Sequence, residues 1–111
     1  DLSALRVGLR FCSDIGSSNY ADAFNLLSAT GKGNSTEDQF AAAFSGALDG
    51  IQWTECGPEI STYSTTTAVA SLTIDFMVIQ LSTSQTGHGK ATLKLSHSGS
   101  AWKVDEMALQ N

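Results

Sequence analysis

The sequence is short of nearly everything that announces a chemistry. Charged residues make up 15% of the 111, and the six basic ones, Arg6, Arg10, Lys32, Lys90, Lys94 and Lys103, are scattered along the chain. Neutralising a phosphate backbone takes clustered Lys and Arg, so nucleic acid is excluded as a partner. No apolar run approaches the roughly 20 residues of a membrane helix, so no membrane insertion is expected. There are two histidines, His88 and His97. If they flank one strand, nine residues at about 3.3 Å each put them about 30 Å apart, too far to share a metal. The two cysteines, Cys12 and Cys56, are too few for a dense disulfide framework. Neither has the neighbouring base and electropositive setting of a nucleophile: Cys12 lies on an apolar helical stripe and Cys56 follows Glu55. No metal, no cofactor and no catalytic residue is read from this sequence.

What is present is a core. An apolar fraction of 41% in a chain of this length supports one folded domain, residues 1–111, without help from a metal. The net charge of −5 is spread evenly along the chain, and Ser, Thr and Gly supply much of the polar surface. A surface rich in Ser and Thr and poor in charge favours an extracytoplasmic setting, where Cys12 and Cys56 would pair; otherwise each is a buried small hydrophobe. The start at Asp1, without methionine, fits a processed secreted protein or a trimmed one.

The longest pattern runs from Thr66 to Leu81. Its even positions, Ala68, Ala70, Leu72, Ile74, Phe76 and Val78, form an unbroken apolar row. Its odd positions begin polar (Thr67, Ser71, Thr73, Asp75) and turn apolar at Met77, Ile79 and Leu81. Period two over that length predicts the central strand of an antiparallel sheet. Before it, helical spacing of Leu2, Leu5, Leu9 and Cys12 predicts a helix over about 2–15. A second helix is expected over about 19–28. A third, over about 36–48, is opened by a capping box at Thr36 and Gln39 and carries Phe40, Ala43, Phe44 and Leu48 on its buried stripe. Strands are expected over about 51–63, 66–81, 89–97 and 101–109. Gly57-Pro58 should bend the first, marking it as an edge, and Thr86-Gly87-His88-Gly89 should turn the chain into the third. In the last strand Trp102 and Val104 keep one phase and Met107 and Leu109 the other, which places a β-bulge at Asp105-Glu106. Asn34-Ser35-Thr36 has the form of a glycosylation acceptor, but its Ser and Thr already serve the start of the third helix.

Three helices followed by a four-stranded antiparallel meander is an α+β layer. That element order, the second helix NYADAFNLLS and the closing strand SGSAWKVDEMAL resemble the nuclear transport factor 2-like superfamily of cystatin-like folds, especially its small secreted bacterial domains of unassigned function. The resemblance covers nearly the whole chain. It implies three N-terminal helices packed on a curved four-stranded sheet, a cone-shaped pocket between them, frequent dimerisation through the open sheet face, and activities from isomerase and dehydratase to none. On this chain the cone wall would be lined by Phe11, Tyr20, Phe24, Phe44, Trp53, Leu72, Ile74, Phe76 and Trp102. The dimer face would hold Asp75, Met77, Ile79 and Lys94.

Relatives that move protons place an acid and a Tyr or His on the inner wall. Here the inward rows are apolar and Asp75 falls on the opposite row, while Asp14, Tyr20 and Tyr63 come no nearer than the pocket mouth. The expectation is therefore a non-catalytic secreted binding or interaction module, bacterial, taking a small apolar ligand, a protein partner or a second copy of itself. The alternative is a small lyase or isomerase of the same superfamily using a pocket carboxylate. Glu106 would supply that carboxylate if the last strand had no bulge.

Overall fold

The computed structural model describes residues 2–110. Helix α1 (Ser3–Gly16) lies across a four-stranded antiparallel sheet of β1 (Ile51–Thr65), β2 (Val69–Gln80), β3 (Thr86–Ser98) and β4 (Ala101–Leu109), in the order β1-β2-β3-β4. Helix α4 (Glu37–Ser45) and the short helices α2 (Tyr20–Asn25) and α3 (Ala29–Lys32) complete the helical layer. The fold is α+β with a curled antiparallel sheet, the architecture that the order of periodicities predicts.

Helix α1 buries Ala4, Gly8, Phe11, Cys12 and Ile15, a face that keeps Cys12 of the expected stripe and moves Leu2, Leu5 and Leu9 away from its centre. Leu5 and Leu9 are half-buried and Leu2 is exposed. The small residues win because they let the helix sit directly on the sheet: the Leu72 side chain occupies the space that a Cβ on Gly8 would need. The disulfide Cys12–Cys56 then ties α1 to β1, with Cα atoms 5.0 Å apart. Around it Phe11, Ile15, Leu72, Ile74, Leu93, Leu95 and Val104 are at most 1% exposed.

The expected second helix stops early. At Leu26 the backbone leaves the helix to run beside β4, Val104 N–H donating to the Leu26 carbonyl at 2.9 Å and Ser28 N–H to the Val104 carbonyl at 2.9 Å. Ser28 then caps the single turn of α3 by accepting from Gly31 N–H at 3.0 Å. Free backbone groups on the edge of β4 thus outcompete helix propagation over three residues. The capping box of α4 is present, Gln39 N–H donating to the Thr36 hydroxyl at 3.2 Å and Thr36 N–H to Gln39 Oε1 at 2.9 Å. That helix ends at Gly46 (φ 93°) rather than at Asp49-Gly50, which leaves Leu48 72% exposed instead of on the buried stripe.

In the sheet, β1 is an edge strand whose register breaks between Cys56 and Ile60, around Gly57-Pro58. Strand β2 begins three residues later than its pattern predicts. The Thr66 hydroxyl accepts from the N–H groups of Ala68 and Val69 and folds those residues into a turn. The largest departure is Thr86-Gly87-His88-Gly89, which is not a turn. It pairs with Ile79-Val78-Met77-Phe76 as the start of β3, and the connection lies at Leu81–Gln85. Glycine there makes room: a Cβ on Gly89 would meet the Phe76 ring at 2.9 Å, and that ring stacks on Trp53 at 4.1 Å between centroids. The bulge in β4 falls where the phase slip puts it, Lys94 pairing with Glu106 and Leu95 with Val104, so that Asp105 is the extra residue.

Candidate functional site

Alternation sends the two faces of the sheet to different environments. The row Ala70, Leu72, Ile74, Phe76 and Val78 points at the helices, and Ser71, Thr73, Asp75, Met77 and Ile79 point away. On the helix side, Phe24, Phe40, Phe44, Trp53 and Phe76 form an edge-to-face and stacked file, with successive centroids 5.7, 5.0, 5.1 and 4.1 Å apart. Phe11 joins it at 6.1 Å from Phe40. These rings pack on one another between the helices and the sheet, with Phe11 and Trp53 buried and Phe24, Phe40, Phe44 and Phe76 half-buried. Leu72 and Ile74 are fully buried beside them. Tyr20 is half-buried at the start of α2, its hydroxyl 3.5 Å from that of Ser18. Trp102 sits at the other end, stacked near His97.

The titratable groups lie outside this core. Asp75 is on the outer face, where Lys90 Nζ donates to its Oδ1 at 2.6 Å and to the Ser61 hydroxyl at 2.7 Å. Glu106 is exposed, 3.4 Å from Lys94. Asp105, half-buried at the bulge, accepts from the Ser28 hydroxyl. Asp14 is the exception: its Oδ2 is the one buried side-chain oxygen among the described residues without a hydrogen-bond partner. Burial first and the nearby Asp22 carboxylate second raise its pKa, against the lowering pull of Arg10. Asp14, near the C-terminal end of α1, has Asp22 and Arg10 as its charged neighbours.

The outer face carries a concavity that the sequence reading did not anticipate. A trough of 630 Å³ crosses the end of the sheet. Its floor is the backbone and side chains of Val69, Ala70, Ser71, Lys94 and Leu95; Ser64 to Thr66 close one side, and Thr30 of α3 with Asp105 and Glu106 close the other. Two devices build it: the segment 26–32 added beside β4, and the bulge that turns Asp105 toward the rim. Val69, 55% exposed, gives it an apolar spot. The legible signals were the polar row containing Ser71 and the phase slip at Asp105; the return of residues 26–28 to the sheet edge had none. A second, smaller concavity on the same face, lined by Asp75, Phe76, Met77, His88 and Lys90 among others, measures 490 Å³.

No protein-family model and no curated protein matches this sequence. Among solved structures, the chain is similar to a nuclear transport factor 2-like protein with a cystatin-like fold from Novosphingobium aromaticivorans. The TM-score is 0.62 at 14% identity, covering 94% of this chain and 76% of that one. Likeness at that identity speaks to architecture alone, and the chain has the cystatin-like, nuclear transport factor 2-like fold.

Proposed function

We propose that this chain is a non-catalytic binding module of an extracytoplasmic compartment, and that it binds through the open face of its sheet. The observation that carries this reading is the aromatic file: the side chains on the helix side of the sheet are packed on one another and carry no acid. A general base needs a titratable group within hydrogen-bond reach of its substrate, and the carboxylates lie on the outer face or the flank of α1. The disulfide supports an oxidising compartment. The trough supports a small, largely apolar ligand resting on Val69 and the exposed backbone, oriented by the Lys94–Glu106 pair at one end.

A second copy of the chain is the other occupant that this face favours, because Val69, Met77 and Ile79 put apolar area on it among Asp75 and Lys94. The test is a ¹⁵N NMR titration with a panel of steroids and aromatic ketones, run beside light scattering of the free protein. Shifts confined to Ser64, Val69, Ser71, Lys94 and Glu106 are the expected result for a ligand in the trough, and concentration-dependent mass with the same residues broadened is the result for a homodimer. Exchange of a ketone α-proton accompanied by shifts at Phe11, Leu72 and Phe76 would replace the proposal with the lyase or isomerase reading.

A further inference from the structure

At the end of the molecule where α1 begins, three elements converge on a notch of 510 Å³ that borders the trough at Thr65 and Thr66. The first turn of α1 contributes Ser3, the β1–β2 connection Thr65 to Thr67, and the β3–β4 hairpin His97, Ser100 and Trp102. His97 and Trp102 are directly paired across that hairpin, which puts their side chains on one face, with ring centroids 5.1 Å apart and planes inclined by 34°. The notch is held open by backbone rather than by side chains. His97 N–H donates to the Ala68 carbonyl at 2.9 Å and joins the two connections, and the Thr66 hydroxyl is consumed in its own turn.

Chemically the lining is unusual for this chain. It holds five hydroxyl side chains and two aromatic rings, and His97 is its one titratable group. Among the described residues no Asp, Glu, Lys or Arg lines the notch to meet an entering ion. A wholly apolar ligand would strip water from the hydroxyls of Thr67 and Ser100, which have no partner within the described residues, without replacing those hydrogen bonds. An aromatic face is apolar while its surroundings here are donors and acceptors. The complementary ligand is a ring with an apolar C–H face and hydroxyls around its edge. We propose that this notch binds a neutral saccharide, one sugar ring stacked on Trp102 and its hydroxyls bonded to Thr67 and Ser100. This is a second site, sharing Thr65 and Thr66 with the trough but none of Ser71, Lys94, Asp105 and Glu106, and it adds a ligand class to the binding role.

The experiment is a ¹⁵N NMR titration of the whole chain with maltotriose, cellotriose and chitotriose, repeated on two variants. Binding of at least one trisaccharide is expected to shift Thr67, His97, Ser100 and the Trp102 indole N–H, with an affinity unchanged between low and high salt. Trp102→Phe should weaken that binding several-fold. Thr67→Lys, an exposed substitution that fills the notch without touching the core, should weaken it at least tenfold while leaving the folded spectrum intact. No shift with any of the three sugars overturns the proposal. So does binding that survives Thr67→Lys, or binding that maps instead to Ser71, Lys94 and Glu106, a result that would leave the trough standing and remove the notch.

Discussion

Leu72 and Ser71 are neighbours in β2, yet they belong to two different materials. Leu72 is fully buried under Gly8 of α1, in a layer of aliphatic side chains that continues into the half-buried aromatic file from Phe24 to Phe76. Ser71 opens onto a trough among hydroxyls, two acids and a lysine. The difference shows where this small domain places its tightly packed core and where it leaves an open polar surface. Dense packing and the disulfide hold the inner face, and what remains adaptable lies outside it.

The strongest way to break the inner half is to remove its covalent tie. Replacing Cys12 and Cys56 together by serine opens a link between residues 44 apart in sequence and should cost about 4 kcal/mol in the chain-entropy view. Chemical unfolding of the double variant against the parent measures it. A smaller blow comes from Gly89→Ala. The new methyl meets the Phe76 ring at 2.9 Å, and displacing that ring disturbs its stack on Trp53. Overpacking of about 1–3 kcal/mol is offset by the gain of about 0.4–1 kcal/mol from a less flexible unfolded chain, so a net loss near 1 kcal/mol is expected, together with a change in the near-ultraviolet dichroism of Trp53.

The outer half should barely respond. Glu106→Gln removes one partner of an exposed pair at 3.4 Å and should change stability by less than about 0.5 kcal/mol. Asp14 tests the boundary between the halves. Its folded pKa is raised by burial and by Asp22, so its neutral form is the one the fold favours. The stability it contributes is present below the unfolded value of 3.8 and is lost as pH rises through the folded value. Asp14→Asn should therefore raise Tm at pH 7, with the gain shrinking as pH falls toward 3.8.

Much of the fold was legible because burial imposes period. The alternation of β2 and β3, the capping box at Thr36 and Gln39 and the slip at Asp105 are local patterns with local causes, and each is where the sequence puts it. The misses have causes that lie far away in the chain. Gly87 and Gly89 look like a turn until Phe76 and Trp53 are seen to need the room. Ala4 and Gly8 look like weak points in a leucine stripe until Leu72 is seen beneath them. The helix stops at Asn25 because the edge of β4, 79 residues on at Val104, offers Leu26 and Ser28 better partners. The trough depends on that same long-range return, so the candidate site was the least legible part.

Guanidinium unfolding of Leu72→Ala beside Ser71→Ala puts the division between the two faces to its most direct test. The account predicts a loss of about 3 kcal/mol for Leu72→Ala, in the range of buried large-to-small changes, and under about 0.5 kcal/mol for Ser71→Ala. A loss under about 1 kcal/mol for Leu72→Ala, with the cavity it leaves already solvated, would contradict it, because a cone with room to spare is a ligand pocket and not a core.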